Sequence, residues 1–138
     1  MIQRIQSIYL LLTTLFSGLF LSMKMFVFRN EAGEVVSEEI IIPLAILLSL
    51  IAAISIITIF IFKNRKLQLK MSGGLFILSI ILLLAVATYA FILSGKYNAQ
   101  LQFRVNLLFP VMVLVFSILA HRGIKKDEDL VKSYDRLR

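Results

Sequence analysis

Residues 40–62 read IIIPLAILLSLIAAISIITIFIF, and no Asp, Glu, Lys, Arg or His interrupts these 23 positions. At about 1.5 Å rise per residue, some 20 helical residues cross a hydrocarbon core of roughly 30 Å, so the stretch is long enough to span a bilayer. Pro43 falls near its beginning, where a missing N–H costs a helix nothing. Glu38 and Glu39, just ahead, suit the positive end of the helix dipole and mark a start near Ile41.

Working outward, Ile5 to Met23 is uncharged for 19 residues and Met71 to Leu93 for 23. Val105 to Ala120 is uncharged for only 16, a marginal length that its flanks extend. Asn98 reads as an N-cap, the helix runs from Ala99 to Arg122, and Gly123 is placed for a left-handed C-cap. The expected spans are about 5–23, 40–62, 71–93 and 99–122, with 124–138 as a separate tail. Of the 138 residues 59% are hydrophobic and 17% charged, against about 45–50% and 25% in soluble domains. Mean hydropathy is +0.92. A water-soluble globule of this size lacks the polar residues to cover such runs. With no Cys, a disulfide-stapled domain and most thiol chemistry are excluded. No A-x-A-like pair precedes Lys24, so the first stretch reads as a retained helix and not as a cleaved signal.

Eleven of the fifteen Lys and Arg residues lie in three places: Arg4, the 63–70 loop (Lys63, Arg65, Lys66, Lys70) and the tail after Ala120. The remaining connections hold Lys24, Arg29, Lys96 and Arg104, beside Glu31, Glu34, Glu38 and Glu39. Basic residues favour the cytoplasmic side of short loops, so both termini are expected in the cytoplasm. The net charge of +7 is then an orientation signal and an attraction to anionic membrane lipids, with no nucleic acid required.

In the outer connection, Phe26 and Phe28 precede Asn30-Glu31-Ala32-Gly33, and Val35-Val36 follow, which predicts a hairpin around a Gly-containing turn. On helix one, Ser7, Thr14, Gly18 and Ser22 share a stripe, and on helix two Ala45, Ser49, Ala52 and Ala53 do. Small and hydroxyl residues let helices approach closely in lipid, so these are expected as packing faces. Helix three has only Gly73, Ala87 and Thr88 in such a stripe, which marks it as the most lipid-exposed. On helix four, Gln102, Asn106, Pro110, Ser117 and His121 fall on one side, and amides in hydrocarbon need partners. Gln102, Asn106, Ser117 and His121 are therefore expected to face the bundle. Asn98, Gln100 and Arg104 add to a polar cluster at the outer end of this helix, which reads as an interfacial anchor.

No ionisable residue interrupts the four uncharged cores, so the membrane-embedded carboxylate of small four-span multidrug exporters is missing. His121 is the only His, too few for paired haem ligation, and no Ser has a His and a carboxylate at a recognisable spacing. Ser72-Gly73-Gly74 lacks the Lys of a phosphate loop. No catalytic residue, metal site or cofactor is expected.

After Gly123, Asp127-Glu128-Asp129 open a segment that closes on Arg136 and Arg138, matching the helix dipole in sign and order. Leu130, Val131, Tyr134 and Leu137 share a stripe. A helix of about 11 residues is unstable alone in water, so the stripe is expected to dock. Leu130, Val131, Tyr134, Asp135, Arg136 and Leu137 are the expected contact residues.

The opening Met1-Ile2-Gln3-Arg4-Ile5-Gln6-Ser7-Ile8-Tyr9-Leu10 and the ending, Arg122 through Lys126-Asp127-Glu128 with Leu130-Val131, Ser133 and Asp135-Arg136-Leu137-Arg138, resemble an uncharacterised family of small four-span membrane proteins of Bacteroidota. The resemblance implies an inner-membrane location and carries over no reaction, cofactor or ligand residue. Together these readings predict an all-α polytopic four-transmembrane-helix bundle. They leave room for a small extracytoplasmic β-hairpin and a short amphipathic cytoplasmic C-terminal helix. The expected role is that of a non-enzymatic accessory or assembly subunit, bound to membrane lipids and to a protein partner or a second copy of itself. The alternative, a small transporter or lipid-binding protein, predicts a cavity lined by Asn106 and Ser117. An intramembrane enzyme would need polar residues clustered around His121.

Overall fold

Two prolines and one asparagine set the helix starts. The computed structural model describes residues 2–29, 32–62, 64–97, 100–101 and 105–136. Helix α1 (Ile2–Ser22) leads into strands β1 (Phe26–Arg29) and β2 (Val35–Glu39), followed by α2 (Ile42–Phe60), α3 (Arg65–Tyr97), β3 (Gln100–Leu101), a short 3-10 turn (Val105–Leu108) and α4 (Phe109–Arg136). Pro43 occupies the first turn of α2 after the extended Ile41. Asn64 caps α3: its Oδ1 accepts the Leu67 N–H at 3.2 Å, and its carbonyl accepts from Gln68 N at 2.9 Å. This cap starts α3 at Arg65, a turn and a half before the apolar run begins.

Helix four differs from the expected 99–122 at both ends. It begins at Phe109 because a helix running in from Ala99 would place Pro110 in its interior, where the ring clashes with the carbonyl four residues back. It passes through Gly123 without a break, and among the described glycines only Gly33 has positive φ, at 81°. Gly123 is therefore no C-cap. Its missing Cβ instead makes room for Gln6, whose Cγ would lie 2.9 Å from a Cβ built there.

The helices form a ring in sequence order. The helix α1 packs on α2, α2 on α3, α3 on α4, and α4 closes on α1. Late residues of α2 and α4 meet early residues of α1 and α3, so neighbours are antiparallel. Leu10, Phe20, Leu44, Leu48, Ile51, Leu75, Leu82 and Val113 fill the interior. Tyr9 and Phe16 of α1 interleave with Phe116 and Phe109 of α4, with centroids 6.4, 5.5 and 5.8 Å apart from one contact to the next. Each of the four helices is long and apolar enough to cross a membrane.

A small sheet of order β2-β1-β3, antiparallel throughout, covers one end of the ring. Phe28 pairs with Ser37 and Arg29 with Val35, so Val36 is the extra residue of a bulge. Met25, Phe26, Val27 and Phe28 are all buried, and Phe26 stacks on Phe28 at 6.3 Å. Asn106 Nδ2 donates to the Lys24 carbonyl at 3.1 Å and ties the 3-10 turn to the chain entering β1.

The inward faces of α1 and α2 are each shifted by one residue from the expected stripes. On α1 the buried residues are Gln6, Leu10, Thr13, Ser17 and Phe20, while Ser22 is exposed. On α2 they are Leu44, Leu48, Ile51, Ser55 and Thr58, while Ser49 and Ala53 are exposed. The hydroxyls explain why: Thr14 donates to Leu10 O, Ser22 to Gly18 O and Ser49 to Ile46 O. A hydroxyl satisfied by its own helix needs no neighbour, so it does not mark a packing face.

Candidate functional site

At the end of the ring opposite the sheet, polar side chains that lie far apart in the chain come together. Gln6 Nε2 donates to Asp127 Oδ2 at 2.7 Å across the α1–α4 contact. Gln68 Nε2 donates to the Thr58 carbonyl at 3.3 Å across α2–α3. Between α3 and α4, Ser72 Oγ lies 3.0 Å from His121 Nδ1, and one step deeper Ser79 Oγ lies 2.8 Å from Ser117 Oγ. The result is a polar seam that runs from the middle of the bundle to its basic end.

Helical spacing builds the seam. Gln68, Ser72, Leu75, Ser79, Leu82 and Val86 are all buried on α3, at steps of four and three. This stripe replaces the expected Gly73, Ala87 and Thr88, of which Ala87 and Thr88 are exposed and Gly73 is half-buried beside His121. On α4 the matching stripe is Val113, Ser117, Ala120, Ile124 and Asp127. Asp127 is only 8% exposed and Glu128 only 5%, so bundle packing continues past Gly123 to at least Glu128. Gln and Ser alternate with Leu along this face of α3, a pattern of polar and large apolar residues and not of small ones.

Ser72 has one hydroxyl proton, and both the Leu69 carbonyl, at 2.9 Å, and His121 Nδ1 are within its reach. If Leu69 takes that proton, Nδ1 must carry the imidazole proton and donate to Ser72 Oγ. Ser72 is fully buried and His121 half-buried, so the pair lies within the α3–α4 contact. The pair therefore locks α3 to α4. A cavity of about 10 Å³, the room of about one water, lies among Gln6, Arg65, Gln68, Ile124 and Asp127. Among the described residues no three His, Asp or Glu side chains gather as a metal site would require. Ser55 Oγ, also fully buried, has no hydrogen-bond partner among them.

Of the residues singled out on helix four, Ser117 is buried and His121 half-buried, both against α3. Asn106 is half-buried at the sheet end. Asn106 and Ser117 stand about three turns apart, with their polar atoms engaged separately. Gln102 lies outside the described residues. Of the tail residues, Leu130 is 43% and Val131 39% exposed. Tyr134, Asp135 and Arg136 are on the last turn of α4 with side chains outside the description, and Leu137 lies outside the described residues.

No curated protein and no solved structure matches the chain. The family Domain of unknown function (DUF4293) matches residues 2–137. With nearly its whole length covered, from the first turn of α1 to the last turn of α4, the chain belongs to the DUF4293 family.

Proposed function

We propose that the protein is a non-enzymatic subunit of a bacterial inner-membrane complex, docking a protein partner through the protruding end of α4. One observation carries this reading. Leu130 and Val131 are exposed on the turn that follows the buried Asp127 and Glu128. The segment 122–138 holds six basic and four acidic residues, too many for hydrocarbon, so these two apolar side chains stand outside the lipid core. An apolar surface there calls for a protein to cover it.

The basic end of the bundle, with Arg65, Lys66, Lys70, Arg122, Lys125 and Lys126, is assigned to the cytoplasm, which makes the β1–β2 segment a small extracytoplasmic hairpin. The residues after Glu128 then form the free part of an amphipathic cytoplasmic helix. A transporter or lipid carrier is the weaker reading, since the seam hydroxyls are bonded to one another and the cavity beside Gln6 holds about one water.

The test is co-purification from solubilised membranes. Truncation belongs after Glu128, because cutting at Gly123 would also remove the buried Ile124 and Asp127. Chains ending at Glu128, and the pair Leu130→Glu with Val131→Glu, are expected to insert normally and lose the partner. A partner retained in full by both would refute the docking role.

A further inference from the structure

We infer that α4 carries a binding site for an anionic phospholipid headgroup, on the face opposite the one that packs into the bundle. An open groove of about 440 Å³ runs along α4, lined by Arg122, Lys125, Lys126, Asp129, Leu130 and Ser133. These positions advance by steps of three and one and so occupy one side of the helix. The opposite side holds Val113, Ala120, Ile124 and Asp127, all buried.

The level of the groove identifies its ligand. Arg122 lies two residues past the uncharged run that ends at Ala120, so the first three lining residues stand where hydrocarbon gives way to headgroups. Three cations there attract an anionic phosphate, and guanidinium and ammonium donors match its oxygens. Asp129 and Ser133 lie one to two turns further from the hydrocarbon, where the part of a headgroup beyond its phosphate extends. A carboxylate and a hydroxyl at that level repel a second anion and hydrogen-bond hydroxyls. The arrangement suits an anionic lipid whose headgroup carries hydroxyls beyond its phosphate, of the phosphatidylglycerol class. Only Leu130 is shared with the proposed protein-docking surface, so the two readings are tested by different residues.

The test is native mass spectrometry of the full chain in detergent, titrated separately with phosphatidylglycerol, phosphatidylcholine and phosphatidic acid. Phosphatidylglycerol is expected to bind most tightly. Lys125→Gln with Lys126→Gln is expected to weaken it by about 10- to 30-fold, from the contribution of each basic residue at an anionic surface. The equal charge removal Lys66→Gln with Lys70→Gln, at exposed positions of α3, is expected to leave it within about 2-fold. Asp129→Asn with Ser133→Ala is expected to erase the preference over phosphatidic acid while retaining binding. All of these side chains except those of the buried face are exposed, so folding is checked by unchanged thermal melts. Equal losses from the α3 and α4 pairs would mean a diffuse surface potential and overturn the site, as would equal binding of phosphatidylcholine. Displacement of the lipid by inorganic phosphate at equal concentration would overturn it too. Tighter binding of an oligoglutamate peptide would assign the groove to an acidic protein segment instead.

Discussion

Gln6 and Asp127, 121 positions apart in sequence, share a buried 2.7 Å hydrogen bond that closes the helix ring between its first and last members. The amide donates to a carboxylate that is only 8% exposed. Gly123 permits the approach by leaving open the space where a Cβ would press on the Gln6 side chain.

Losing one partner of such a bond leaves the other buried without its protein partner. Gln6→Leu and Asp127→Ala are each expected to lower stability by about 1–3 kcal/mol. Asp127→Asn keeps an acceptor oxygen and is expected to cost less. The double variant is expected to cost less than the sum of the singles, as read by thermal unfolding in detergent.

Two glycines should respond oppositely to alanine. At Gly74 nothing lies within 4 Å of an added Cβ, so Gly74→Ala is expected to gain a few tenths to about 1 kcal/mol from helix propensity. At Gly123 the same gain is opposed by a 2.9 Å approach to Gln6 Cγ, close to the backbone and not at the free end of the side chain. Gly123→Ala is expected to destabilise, and to cost less when made in a Gln6→Ala background, where the clash is gone but the bond to Asp127 is already lost. Unfolding midpoints of the two singles and the double decide it.

Buried hydroxyls divide in the same way. Ser55 is fully buried with no partner among the described residues, so Ser55→Ala is expected to raise stability by about 1 kcal/mol. Ser79 and Ser117 lie within bonding distance of each other, one donating across while the other donates to its own helix, so Ser79→Ala is expected to cost about 0.6 kcal/mol, the average for such bonds in membranes. Opposite signs in one unfolding assay are the expected result.

The absence of Cys makes orientation directly measurable. With both ends cytoplasmic, a membrane-impermeant maleimide applied to cells with a permeabilised outer membrane should label Ala32→Cys. It should label Leu67→Cys and Ser133→Cys only after lysis. All three positions are exposed. The reverse pattern would invert the assignment and place the α4 end outside.

The four long apolar helices were legible from residue order, because charge in hydrocarbon is so costly that uncharged runs, counted in 1.5 Å steps, mark where such helices lie. The start of α2 was equally legible, since Pro43 and its neighbours act locally. The inward faces were not. In lipid a Ser or Thr can satisfy itself on the preceding turn, so Ser22 and Ser49 face outward while Leu10, Leu48 and Leu82 fill the interior, and composition does not separate the two cases. Gly123 shows the same division between local and long-range causes. Read among its neighbours it is a helix terminator, yet Gln6 packing from the far end of the chain keeps α4 running to Arg136 and buries Asp127. Contacts between residues 121 apart have no local signature, so the seam and the length of α4 were decided only when the helices packed together.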